Sequence, residues 1–168
     1  IPLFTLHAIA LYLTIKWHLA PSIKNSLKFG AVIGLMIITR PTEILFLVIP
    51  IFWGVTSLKE FFQKYYNLIT KKTLSLIVFS AVIISIGFIQ LLYWKKITGE
   101  WLFYSYDNAG EGFDFMRPNL KDFLFSYRKG WFLYTPIMFL ASVGLGFTLL
   151  KKYKFGISIL LFVVLNIW

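Results

Sequence analysis

Residues 74–94 run for 21 positions without one charged side chain, and no other feature restricts the chain as strongly. A helix of that length is about 31 Å long, enough to cross the hydrocarbon of a bilayer. Tyr93 and Trp94 close the run with the aromatic pair favoured at a membrane–water interface. Further apolar runs occupy 1–19, 29–55, 132–150 and 156–168, so the pattern repeats along the whole sequence. Composition agrees, with 58% hydrophobic and only 14% charged residues, where a globular chain has about half and about a quarter. The expected fold is therefore an all-α, polytopic membrane protein.

Charge placement gives the expected topology. The net charge is +10, but the basic side chains sit in short loops between apolar runs instead of on one groove or face. That is the positive-inside distribution, and it excludes nucleic acid as a partner. The first run, 1–19, closes on Lys16, Trp17 and His18, with Pro21 as a helix stop. The run at 156–168 is apolar to its last residue and too short for a crossing. With Ile1 in place of Met, the expectation is a piece of a longer chain, cut within a helix.

The segment 29–55 admits two architectures, because Arg40, Pro41, Thr42 and Glu43 interrupt its middle. One broken helix would put two charges near the bilayer centre, at about 2.5 to 3.5 kcal/mol each. Two short helices, 29–39 and 44–55, would form a hairpin with the charged residues at its apex. Loop charge favours the hairpin, since it puts the Lys-bearing loops 20–28, 56–73 and 151–154 on one side. Gly30 and Gly34 have the spacing that lets another helix approach closely, and packing within the chain is the simpler use of it than dimerisation. In the 57–69 region Leu58, Phe61, Phe62, Tyr65, Tyr66 and Ile69 follow helical periodicity, with Lys59, Glu60, Gln63 and Lys64 opposite. The pattern predicts an amphipathic helix in the cytoplasmic interface, with no chemistry of its own.

Between 95 and 131 lies the one long polar segment, with six basic and five acidic side chains. That near-balance places it on the extracytoplasmic side. Its second half reads as a short helix capped by Asn119, with Leu120, Phe123, Leu124 and Tyr127 on one face, Arg128 and Lys129 at its end, and Gly130 as its stop. Carboxylates interleaved with aromatic rings suit sugar, because Asp and Glu accept from hydroxyls while rings cover apolar sugar faces. A folded cap with its aromatics at headgroup depth fits the composition as well. Asp107, Glu111 and Asp114 lack the alternate-residue pattern of a calcium loop. His7 and His18 would lie about 16 Å apart on one helix, too far to share a metal. Cysteine is absent, which removes disulfides and thiolate chemistry. No metal and no cofactor is expected.

The stretch QLLYWKKITGEWLFYSYDNAGEGFDFMRPNLKDFLFSYRKGWFLYTP, with the earlier GLMIITRPTEILFLVIP, resembles bacterial dolichyl-phosphate-mannose-protein mannosyltransferase-like membrane enzymes. These belong to glycosyltransferase family 39 and have the GT-C fold. The resemblance covers about residues 29–140. It rests on Arg40-Pro41-Thr42, Tyr93-Trp94-Lys95, Thr98-Gly99, Tyr104-Ser105-Tyr106, Glu111-Gly112-Phe113, Pro118, Gly130-Trp131 and Tyr134-Thr135-Pro136. It implies a GT-C-like bundle in the bacterial cytoplasmic membrane that moves a sugar from a polyprenyl-phosphate donor to an acceptor on the outer face. The catalytic carboxylate of such enzymes is expected upstream of residue 1, so no residue here inherits that role. Candidate substrate contacts are Arg40, Glu43, Tyr104, Tyr106, Asp107, Glu111, Asp114 and Arg117. A polytopic transporter or flippase is the alternative, because transporters place charged pairs beside broken helices. A noncatalytic assembly protein explains the spans but not the long loop.

Overall fold

The computed structural model describes residues 2–103, 120–127 and 130–167, and every regular element among them is helical. Helices α1 (Pro2–Leu19) and α2 (Ile23–Thr39) form an antiparallel pair. Ser22 caps α2 by accepting from the Asn25 amide at 3.3 Å, so the helix starts six residues earlier than the apolar pattern predicts. The pair is fixed near this turn by Trp17, whose Nε1 donates to Ser26 Oγ at 2.8 Å with both side chains buried. A buried indole N–H left unpaired is costly, so this bond specifies how α1 and α2 register.

After Arg40 the chain reverses. Residues Pro41–Leu47 wind as a 3-10 helix that continues into α3 (Val48–Phe52), where sequence periodicity predicts one α-helix over 44–55. The contacts of this limb supply a reason. Glu43 meets His7, and ten residues later Trp53 stands 6.4 Å from His18, eleven residues along α1. Ten steps of pure α-helix would rise about 15 Å, whereas part 3-10 winding at about 2.0 Å per residue reaches about 17 Å, close to the α1 separation.

Helix α4 (Leu58–Lys71) leads directly into α5 (Thr73–Thr98). Gly30 and Gly34 let α5 lie against α2: a Cβ on Gly30 would sit 2.8 Å from the Phe79 carbonyl oxygen, and one on Gly34 would sit 2.7 Å from Ile86 Cδ1. The small-residue pair therefore serves packing inside the chain. Phe29 and Phe79 meet across the same interface at 4.9 Å. Among the described residues α5 alone has the length and apolarity of a membrane crossing, with 26 residues and a mean hydropathy of 2.4 over its most apolar window.

The expected span 132–150 is divided. Helix α6 (Leu120–Phe125) precedes α7 (Trp131–Tyr134), and α8 (Ile137–Leu150) starts only after Thr135 and Pro136. Thr135 adopts φ −134° and ψ 72°, since the proline ring disfavours an α conformation in the residue before it. The break leaves α8 with 14 residues, about 21 Å and short of a full crossing. The expected helix after Asn119 is shorter too: α6 ends at Phe125, and Tyr127 lies in a turn, 92% exposed. Asn119, Arg128 and Lys129 lie outside the described residues. Helix α9 (Gly156–Ile167) packs on α3 and the 3-10 segment, joined by the Gly54 amide donating to the Lys154 carbonyl at 2.9 Å. The core between these elements contains Ala10, Leu13, Trp17, Phe29, Ile33, Met36, Phe46 and Ile49.

Candidate functional site

The reverse turn is built by Arg40 and Pro41. Arg40 is extended, at φ −151° and ψ 114°, as a residue before proline prefers. Its amide still closes α2 on the Met36 carbonyl at 3.0 Å, and its own carbonyl accepts the Glu43 amide at 2.9 Å. One residue thus ends α2 and starts the 3-10 turn. Pro41 takes the first helical position, where its missing N–H costs nothing.

Glu43, in that first turn, points into the bundle. Its Oε2 lies 2.9 Å from His7 Nε2, with side-chain exposures of only 12% for Glu43 and 28% for His7. The other imidazole nitrogen, Nδ1, lies 2.8 Å from the Leu3 carbonyl, which can only accept, so Nδ1 carries a proton. Contact between Nε2 and the carboxyl then requires one further proton, resident on either group. Phe46 stands edge-on to the imidazole at 5.4 Å, and Phe162 lies 6.3 Å away. Arg40 stands three residues before Glu43, but the carboxyl meets His7 and not the guanidinium. Arg40 is exposed, and its guanidinium has no hydrogen bond or ion pair with any described residue.

The turn thus combines a free guanidinium with a half-buried imidazole–carboxyl pair. A guanidinium presents a planar fork that can grip two phosphate oxygens. The paired groups can hold or pass one proton. Of the other candidates, Tyr104, Tyr106, Asp107, Glu111, Asp114 and Arg117 lie outside the described residues. His7 was legible only as one of the few ionisable groups inside an apolar run, and Glu43 was another. Such groups in apolar surroundings need partners.

A second polar arrangement lies at the opposite end of α1. Lys64 sits on the face of α4 that the sequence assigns to solvent, yet it is half-buried. Its Nζ donates to the carbonyls of Pro50, Ile51 and Trp53 at 3.0, 3.1 and 2.7 Å. A cation at a helix C-terminus satisfies carbonyls that lack intrahelical partners. Burial nevertheless lowers its pKa from 10.5 to about 8, which leaves the ammonium charged at neutral pH. Tyr65 beside it donates to the Ile51 carbonyl at 3.1 Å, and burial raises its phenol to about 12. The apolar face of α4 is consequently divided: Phe61 stacks on Phe52 at 5.3 Å, while Leu58, Phe62, Tyr66 and Ile69 stay exposed. Glu60 is held below the ordinary carboxylate range by the Thr56 hydroxyl and amide, at 2.7 and 2.8 Å.

Compared with protein-family models, with curated proteins and with solved structures, the chain matches none.

Proposed function

We propose that the chain is part of a multi-pass membrane glycosyltransferase of the bacterial cytoplasmic membrane. It draws a sugar from a polyprenyl-phosphate donor, with Arg40 at the donor phosphate. The observation that carries this reading is the exposed Arg40 guanidinium, unpaired among the described residues, at the apex of an apolar hairpin. A guanidinium that held the turn together would bond to it, whereas Arg40 serves the turn through its backbone alone and the side-chain contact there is His7–Glu43. The resemblance of residues 29–140 to family 39 enzymes supplies the substrate class. Donor phosphate at the apex would sit at headgroup depth, with the polyprenyl chain in the lipid.

In the full-length enzyme, Arg40→Lys should leave folding and insertion intact and weaken donor use. Loss of a charge-assisted contact of about 1.5 to 3 kcal/mol corresponds to about a tenfold to hundredfold effect. Unchanged donor kinetics in the purified variant would remove Arg40 from the site.

The imidazole–carboxyl pair favours a second reading. Ionisable pairs between apolar helices are what proton-coupled transporters use. In that case His7→Gln and Glu43→Gln would each uncouple substrate uptake from the proton gradient, while Arg40→Lys would have little effect.

A further inference from the structure

At the end opposite Arg40, the close of α1 and the close of α4 border an open groove of about 290 Å³. It is lined by His18, Pro21, Lys64, Asn67, Leu68, Lys71 and Lys72. No acidic residue lines it, and three of the seven are lysines. Lys64 already donates to the carbonyls of Pro50, Ile51 and Trp53. By contrast, the side chains of Asn67, Lys71 and Lys72 have no hydrogen-bond or ion-pair partner among the described residues. His18 lines the same groove. Its Nδ1 bonds the Thr14 carbonyl at 2.8 Å, and its other ring nitrogen is buried among Pro50 and Lys64.

We propose that this groove is a binding site for the phosphate of an anionic phospholipid headgroup, held by Lys71, Lys72 and Asn67. Lipid is favoured over free phosphate by position. Lys72 is the last residue before α5, the helix with the length and apolarity of a crossing, so the two lysines stand where its apolar run begins. For a membrane-crossing α5 that is headgroup depth, where basic residues attract anionic lipid. The site rests on the membrane reading of the chain but not on the glycosyltransferase assignment, and it lies at the other end of the bundle from Arg40.

The test uses the full chain reconstituted in vesicles of phosphatidylcholine and phosphatidylglycerol in equal amounts. Alkaline carbonate extraction first establishes insertion, and the lipid retained after gentle detergent extraction is then quantified by native mass spectrometry. The wild-type chain should retain phosphatidylglycerol about tenfold over phosphatidylcholine. Lys71→Gln with Lys72→Gln should lose that enrichment, and Lys151→Gln with Lys152→Gln, an equal charge change elsewhere, should keep it. Equal loss in both double variants would mean diffuse surface charge and overturn the site. Stripping of the enrichment by millimolar inorganic phosphate would make it a free-phosphate site and overturn the lipid assignment. An inserted chain without enrichment defeats this proposal alone, whereas a chain released by carbonate defeats the membrane reading as well.

Discussion

His7 Nε2 lies 2.9 Å from Glu43 Oε2, so the carboxyl at the reverse turn is held by the first helix and not by the arginine three residues before it. This contact ties the apex of the hairpin to the start of α1, thirty-six residues earlier in the chain. Glu43→Ala would leave a half-buried imidazole nitrogen without its partner and should lower stability by about 1 kcal/mol, the low end for an unsatisfied polar group because His7 retains some solvent. Arg40→Gln should change stability by less than about 0.5 kcal/mol. Thermal melts of both variants in detergent compare them, and equal losses would show that Arg40 supports the turn after all.

The two glycines at the α2–α5 interface should not be equivalent. Alanine at Gly30 meets a backbone oxygen, Phe79 O at 2.8 Å, which can yield only if a helix moves. Alanine at Gly34 meets first the tip of the Ile86 side chain, Cδ1 at 2.7 Å, which can rotate away, although Ile86 Cβ follows at 3.0 Å. Overpacking costs about 1 to 3 kcal/mol, against about 1 kcal/mol gained when alanine replaces a helical glycine. Gly30→Ala should therefore be clearly destabilising and Gly34→Ala close to neutral. The reverse order in thermal melts would contradict the packing described.

Lys64 and Tyr65 give the chain an alkaline stability profile with opposing limbs. Lys64 has a folded pKa of about 8 against an ordinary 10.5, so between those values the unfolded chain holds a proton that the folded chain has released. Stability from this group therefore rises with pH across that window. Tyr65 is shifted from 10 to about 12, so its folded form keeps a proton that the unfolded form loses, and stability falls as pH climbs through that range. The melting temperature should rise from pH 8 towards 10 and decline beyond it, and Lys64→Met should flatten the rise. A wild-type curve that falls relative to Lys64→Met between pH 8 and 10 would mean that the three carbonyls stabilise the ammonium more than burial disfavours it.

The helical class was legible because apolar runs and prolines are local signals, and Pro21 follows the end of α1 as a stop. Ser22 starts α2 six residues before the apolar run at 29, and Gly99 ends α5 four residues beyond Trp94, so polar residues extend both helices past the apolar pattern. The 3-10 winding of 41–47 was not legible, since it answers a length match with α1 that no local pattern encodes. Nor was the break before Pro136, where an apolar run masked a backbone restriction carried by one ring. Lys64 read as a solvated lysine because helical periodicity assigns a face but cannot say which edge of it meets another element. The His7–Glu43 contact joins residues 36 positions apart, and only the scarcity of ionisable groups in apolar runs hinted at it.

Single cysteines can test the topology, because the chain has none of its own. Thr42 is exposed at the hairpin apex, beside Glu43 and the start of α1, whereas Lys24 is exposed near the end of α1. Ser26 would be a poor probe at that end, since its side chain is fully buried and accepts the Trp17 indole N–H. If the hairpin and α1 cross the membrane together with α5, a membrane-impermeant thiol reagent applied to intact cells should label Thr42→Cys. Lys24→Cys and Asn67→Cys should then react only after permeabilisation, because Lys24 and Asn67 lie towards the His18 end of α1. If α5 is the sole crossing, Thr42, Lys24 and Asn67 all precede it on one side, and the three cysteines should label together. The comparison of Thr42 with Lys24 therefore separates a multi-pass bundle from a single span, and labelling of Thr42→Cys in intact cells is what a donor contact by Arg40 on the outer face requires.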